Sequence, residues 1–176
     1  MKSFIQTIAL VVLLGGLLSF ISSPTWKLSK GHTISFSGKG IDGIFKKMEA
    51  EINFDEKNLP TSKFTLQIDV NSINTGNALQ NKHALGAEWF DASKYPVIKF
   101  TTNSIEKSAS GYIAKGKMEV KNKSKEVSIP FTFTPAGSTG KFITNFIIKR
   151  SDYGVGESSD DVSDEIKIKV EVQVEK

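Results

Sequence analysis

The sequence predicts an all-β domain: about eight antiparallel strands, with one long, partly helical connection folded over one end. Three observations carry this. Apolar and polar residues alternate with a period of two along almost all of the chain after residue 23, and side chains that alternate this way stand on opposite faces of a strand. The alternating runs are separated by short segments rich in Gly, Pro, Asn, Asp or Ser, which join antiparallel neighbours. One connection, Asn71 to Pro96, is far longer than the rest. A loop beyond about 12–15 residues is usually functional or carries structure of its own.

In chain order, residues 1–23 are not domain material. Lys2 is followed by an almost wholly apolar run, Phe4–Ile21. A basic start and a short apolar core predict a signal peptide, with the mature chain starting near Pro24 or Trp26. The run is also long enough to stay as a membrane anchor, since roughly 17–25 residues span a bilayer. Either way the domain over residues 24–176 is expected to be exported, to the periplasm or beyond.

The first strand signal is the shared parity of Trp26, Leu28, Ile34 and Phe36. Met48, Ala50, Ile52 and Phe54 form the next, and Phe64, Leu66, Ile68 and Val70 the third. Pro96 has no N–H to give a ladder, so it suits the first position of the strand from Val97 to about Glu106. Four more runs follow: Tyr112, Ala114, Met118 and Val120; Val127, Ile129, Phe131 and Phe133; Phe142, Phe146 and Ile148; and Ile166, Ile168, Val170, Val172 and Val174. The turns between them include "DEKNLP" (55–60), "KSASG" (107–111), "KNKS" (121–124) and "PAGSTG" (135–140). One apolar face per strand fits a closed barrel or a sandwich. Eight strands make a barrel that side chains fill, or that holds one small ligand.

Within the long connection, Thr75 or Asn77 is placed to cap a short helix on which Leu79, His83 and Ala84 share a face. Trp89, Phe90 and Tyr95 follow. These aromatics need burial, and the open end of a barrel is the large apolar surface the pattern supplies. They are expected to face inward as a lid, with Asp91 and Lys94 at the rim in water.

Composition narrows the chemistry. The chain has no cysteine, which excludes disulfides, thiolate metal sites and Cys nucleophiles. Its net charge is +4, but the lysines are spread along strand faces, with no basic stripe interleaved with stacking aromatics. Nucleic acid is therefore not an expected partner. His32 and His83 are the only histidines, too few for a metal cluster or a triad. His83 is expected to be structural or to line the barrel mouth. No nucleophile elbow or phosphate-cradling loop is present, so no catalysis is expected. The acidic run "ESSDDVSDEI" (157–166) lacks the spacing of a calcium loop and predicts a solvated segment.

Arg150 is the single arginine among lysines, which points to a site needing a planar, forked donor. Asp91 or Glu88 of the long connection is its expected partner, with a ligand head as the second reading. The inward phenylalanines, Phe36, Phe54, Phe64, Phe100, Phe131, Phe133 and Phe146, either fill the barrel or line a tunnel. The two cases look alike in sequence.

Several segments together resemble the YceI-like family of exported bacterial lipid-binding proteins. They are "GIFKKMEAEINFD" (43–55), "IDVNSINTGN" (68–77), "NKHALGAEWFDASKYPVIKF" (81–100), "GKMEVKNKSKEVSIPF" (116–131) and "RSDYGVG" (150–156). The resemblance implies a lipocalin-like barrel whose interior takes the tail of a polyisoprenoid or an isoprenoid quinone, with the head near the mouth, for transport or storage. That lipid is the expected ligand; no other cofactor and no metal are implied. On this implication the ligand-lining residues are Phe36, Ile52, Phe54, Phe64, Leu66, Ile68, His83, Trp89, Phe90, Tyr95, Phe100, Met118, Phe131, Phe133 and Phe146. The chain departs from the family pattern at Gln80 and Asn81, where an Arg-Asp pair is common. The rival readings are a filled barrel that acts as a protein-interaction or stress-related module, and a lipid-modifying enzyme. Membrane association is expected only through an uncleaved Phe4–Ile21, and the oligomeric state is left open.

Overall fold

The computed structural model of the chain describes residues 24–29, 31–157 and 160–176. The leader expected over residues 1–23, and any membrane contact through Phe4–Ile21, lie outside the described residues. The elements are β1 (Thr25–Leu28), β2 (Thr33–Gly38), β3 (Ile41–Phe45), β4 (Met48–Asn53), β5 (Lys63–Asp69), β6 (Ile73–Asn74), helix α1 (Ala78–Leu85), β7 (Val97–Ser108), β8 (Gly111–Val120), β9 (Lys123–Ala136), β10 (Thr139–Lys149) and β11 (Glu165–Glu175).

β1 and β2 lie one after the other along β11, and β3 with β4 and β5 with β6 are single strands interrupted by a kink. Among the described residues the count is therefore the eight that the alternation predicts. A ring runs β1-β4-β5-β7-β8-β9-β10-β11 and closes where β11 pairs back with β1, at Lys27↔Glu175 and Leu28↔Val174. Beyond it β2, β3 and β6 continue from the first half of β11. All neighbours are antiparallel, and closure makes this a barrel rather than a sandwich.

The kinks between β3 and β4 and between β5 and β6 have a local cause in "IDVNSIN". The chain turns through a short 3-10 segment, Val70–Ser72, capped by the Asp69 carboxylate, which accepts from the Asn71 N–H at 2.9 Å. The Ser72 hydroxyl then donates to Asp69 O at 2.6 Å and accepts from the N–H groups of Lys46 and Lys47 at 3.1 and 3.0 Å. One buried serine thus supplies the partners that two interrupted strands have lost, which unpaired buried backbone groups require.

One end of the barrel is solid. Phe54 is 1% exposed, and its ring lies 5.2–5.9 Å from those of Phe64, Tyr112, Phe131, Phe133 and Phe142. The crossings are mostly edge-to-face, the arrangement aromatic quadrupoles favour. Trp26 completes the plug. Its indole N–H donates to Phe54 O at 3.0 Å and its ring meets Phe133 at 5.2 Å. At the outer edge the Tyr112 hydroxyl donates to Glu56 Oε1 at 2.7 Å.

Candidate functional site

Above the plug the barrel is hollow. The cavity, about 200 Å3, has walls from nearly every strand. Apart from Thr144, Arg150 and the phenol of Tyr153, every described residue lining it is apolar. Its floor is Phe64, Phe131 and Phe142 of the plug, and its roof is the long connection.

The connection folds as a compact cap. Asn77, not Thr75, is the N-cap of α1; its side chain accepts from the N–H groups of Leu79 and Gln80. Asn81 holds the entry to the helix, accepting from the Thr75 N–H at 2.8 Å and its hydroxyl at 2.9 Å. After the helix the chain doubles back. The N–H groups of Phe90, Asp91 and Ala92 donate to the carbonyls of Ala84, Gly86 and Leu85. Asp91 takes a left-handed φ of 48°, and its carbonyl accepts from Lys94 and Tyr95. These turns aim Trp89 and Phe90 into the barrel, where both line the cavity and Phe90 meets Phe45 edge-on at 6.0 Å. Pro96 then hands the chain to β7; its carbonyl accepts from Val70 N–H at 2.9 Å.

A second loop bolts this cap down. After β10 a 3-10 turn, Arg150–Tyr153, leads into "GVG". Arg150 is 5% exposed and its guanidinium donates to three carbonyls: Ser163 from Nε at 3.1 Å, Val155 at 2.9 Å and Val162 at 3.1 Å from the two terminal nitrogens. Its other face lies over Trp89, 5.4 Å from the ring centroid. Gly156 sits at φ +69°, where a Cβ would meet both Arg150 and Trp89 at 2.9 Å. Only glycine admits this close approach. The Gly156 N–H donates to Glu88 O, and Lys121 Nζ donates to the carbonyls of Ala87, Glu88 and Gly154. The Asp164 carboxyl is held below its usual range, chiefly by the backbone N–H and hydroxyl of Ser151, both at 2.9 Å.

Most of the residues expected to line the interior do so. Phe36, Ile52, Phe64, Leu66, Ile68, Trp89, Phe90, Phe100, Met118, Phe131 and Phe146 all face the cavity. Four do not. Phe54 and Phe133 belong to the solid plug. Tyr95 is half-buried beside the cap, outside the cavity wall. His83 is exposed on the outer face of α1, as is Leu79 at 60%. The helix is too short to bury a wide stripe, and only Ala84 and Leu85 turn inward.

Two further expectations need correction. Asp91 is 7% exposed rather than in water, because the reversed chain needs its side chain as an acceptor for Ser93 Oγ and Lys94. Arg150 bonds carbonyls, not the carboxylates of Asp91 or Glu88. Backbone carbonyls of a folded loop already offer the fork three fixed acceptors.

Wall residues missed in the sequence include Ile41, Phe45, Tyr153, Val155 and Val162. Phe45 and Met48 both face inward although three residues apart, because the kink at residues 46–47 resets the alternation. Val155 and Val162 stand in loops, where no period applies. Their one signal was a lone apolar residue, Val155 between two glycines and Val162 between Asp161 and Ser163.

A model of the YceI-like domain matches residues 26–174. The chain belongs to the YceI-like family. A UPF0312 protein of Yersinia enterocolitica is 27% identical over 137 residues, 74% of this chain and 71% of its own. Among solved structures, BcnA of Burkholderia cenocepacia is similar with a TM-score of 0.76 and 31% identity, over 81% of this chain and 95% of that one. The YceI protein of Campylobacter jejuni gives 0.70 and 27%, over 77% and 85%. A polyisoprenoid binding domain from Saccharophagus degradans gives 0.62 over 86% and 97%, at 14% identity, a likeness of fold alone. The segments that carry the YceI-like resemblance have distinct tasks in this barrel: "IDVNSIN" makes the kinks of β3–β4 and β5–β6, "HALGAEWFD" the cap, and "RSDYGVG" the bolt.

Proposed function

We propose that this YceI-like protein is a carrier that holds the apolar tail of an isoprenoid lipid, a polyisoprenoid or an isoprenoid quinone, inside the barrel for transport or storage, without chemistry on it. The observation that carries the reading is the hollow itself: a roofed cavity of about 200 Å3 with almost no polar wall. A natural barrel with a purely structural interior closes such space, as this one does at its plug. Burial alone drives the binding, at about 0.8 kcal/mol for each methylene removed from water. The polyisoprenoid binding named for the Saccharophagus degradans neighbour supports the same ligand class.

The cavity exceeds the roughly 150 Å3 of an engineered pocket that stays dry and takes up benzene. It falls below the ~300–1,000 Å3 of drug-sized sites. A short prenyl segment enters as the walls stand, and a long tail requires them to yield. We place the protein outside the cytoplasm, with Met1–Ser23 as its export signal; the intact mass of the secreted form, beginning near Pro24 or Trp26, tests that part.

The test of the carrier is native mass spectrometry of protein purified without detergent, followed by organic extraction, and titration of stripped protein with geranylgeraniol. The expected result is a co-purifying lipid and saturable one-to-one binding. Stripped, folded protein that shows no saturable uptake of geranylgeraniol would falsify the reading and leave a ligand-free barrel.

A further inference from the structure

We propose that lipid enters and leaves sideways, through a slot in the barrel wall between β9 and β10, rather than under the cap. The proposal rests on the carrier reading above and adds the route.

The slot begins at Pro130. Its carbonyl accepts from Thr144 Oγ1 at 2.6 Å, so it faces β10. In a strand the nitrogen and oxygen of one residue point to the same side. The Pro130 nitrogen therefore also faces β10, with no hydrogen to donate. The β9–β10 ladder runs from Ala136↔Thr139 to Phe131↔Thr144 and stops there. Past that point the first half of β9 pairs only with β8, and the last residues of β10 only with β11. Among the described residues none of 123–130 is paired in register with any of 145–149. Proline within a sheet belongs at an edge, and here it makes an edge inside a closed barrel.

The gap opens outward into a cleft of about 350 Å3. Lys125, Glu126 and Val127 form one bank, and Ile147, Ile148, Lys149 and Asp152 the other. Ile148 and Tyr153 line both this cleft and the interior cavity. One layer of apolar side chains thus separates the hollow from the surface. Ile147, 56% exposed, gives the outer margin an apolar step. Across the slot stands the ion pair of Lys125 and Asp152 at 3.5 Å, both side chains about half exposed. Exposed pairs of this kind hold weakly.

The other ways out are closed more firmly. The plug is solid aromatic packing. The cap is bolted by Lys121, by the Gly156–Glu88 bond and by the Arg150–Trp89 stack. Of the three, the slot opens with the fewest bonds broken. Because β9 and β10 remain zipped from Phe131 onward, the two free segments can part as a clip does. A tail longer than the resting cavity would be accommodated by the same movement.

The chain's lack of cysteine makes the test clean. Lys125→Cys with Asp152→Cys places two thiols across the slot, to be joined by a short bismaleimide with a reducible core. The readout is exchange of bound geranylgeraniol for its deuterated form, followed by native mass spectrometry. The unlocked variant should bind with wild-type affinity. Locking should slow exchange at least tenfold, and reduction should restore it. Pro130→Val, which returns an N–H to the ladder, should slow exchange without any cross-link. If geranylgeraniol binds but neither the lock nor Pro130→Val slows its exchange, the slot is not the route; the unpaired edges would then be free for a strand of another chain. If the wild-type protein binds no geranylgeraniol, the carrier reading itself fails, and the slot with it.

Discussion

Replacing Arg150 gives the sharpest test of how the cap is held. The guanidinium makes three charge-assisted bonds to carbonyls, one fully buried and two partly so. Each such bond contributes about 1.5–3 kcal/mol net, and a buried acceptor left without a partner costs about 1–3 kcal/mol. The stack on Trp89 adds about 0.5–1 kcal/mol. Against this, Arg150→Met removes a charge from a site where burying it costs several kcal/mol. Water can also reach the two partly exposed carbonyls. The balance is a loss of about 3 kcal/mol, which lowers Tm by roughly 6–12 °C for a domain of this size. Arg150→Lys should do no better. An ammonium keeps the buried charge but lacks the planar fork, so it reaches one carbonyl where arginine reached three. Urea unfolding is the assay, and the two tryptophans divide the signal, since Trp26 reports on the plug and Trp89 on the cap. With Trp26→Phe as background, the Trp89 transition should move first. An Arg150→Lys protein within about 0.5 kcal/mol of wild type, smaller than one neutral hydrogen bond, would show that charge rather than the fork holds the loop.

Three further outcomes follow from the cavity and its two ends. Ala114, buried on β8 and facing the hollow, should accept Phe with little loss of stability, because overpacking costs about 1–3 kcal/mol only where no space exists. The same Ala114→Phe should abolish geranylgeraniol binding, and a large fall in Tm with binding intact would mean the interior is already full. Trp89→Ala unseals the cap end. It should cost less than the ~3–5 kcal/mol of an aromatic deleted from a core, and should speed lipid release even with the β9–β10 slot locked. Unchanged release with global unfolding would place Trp89 in the core. The Tyr112 hydroxyl is pushed up from 10.0 to about 12, first by burial and then by its bond to Glu56 and that residue's charge. Tyr153 is raised too, by burial and then by Asp152. A phenol that holds its proton more tightly when folded contributes stability that is whole below pH ~10 and is lost as pH rises towards 12. Wild-type Tm should therefore fall between about pH 10 and 12, and Tyr112→Phe should fall less over that window. An identical slope for the two proteins would remove Tyr112 as the cause.

The alternation of the chain was enough, by itself, to determine eight strands, their inward faces and the place of the one long connection. Side chains of a strand have only two directions, and burial chooses one of them for the whole run. Most of the cavity wall was therefore legible: Phe36, Leu66, Phe100 and Met118 face inward for the same reason they alternate. The end capped by Asn71–Tyr95 was legible too, because its length and aromatics fit no hairpin. The rest depended on contacts between distant segments. Phe45 escaped because the kink stitched by Ser72 resets the parity, and Ser72 meets Lys46 and Lys47 only in the folded chain. Phe54 and Phe133 read like lining residues; whether an inward ring fills a barrel or borders a hollow depends on what stands opposite. Arg150 was singled out by being the only arginine, yet its partners are carbonyls, which every residue has and no residue type reveals. Pro130 is visible in the sequence as a proline in a strand. That its nitrogen faces β10, and so opens the wall instead of passing unnoticed, was decided by the register of three strands at once.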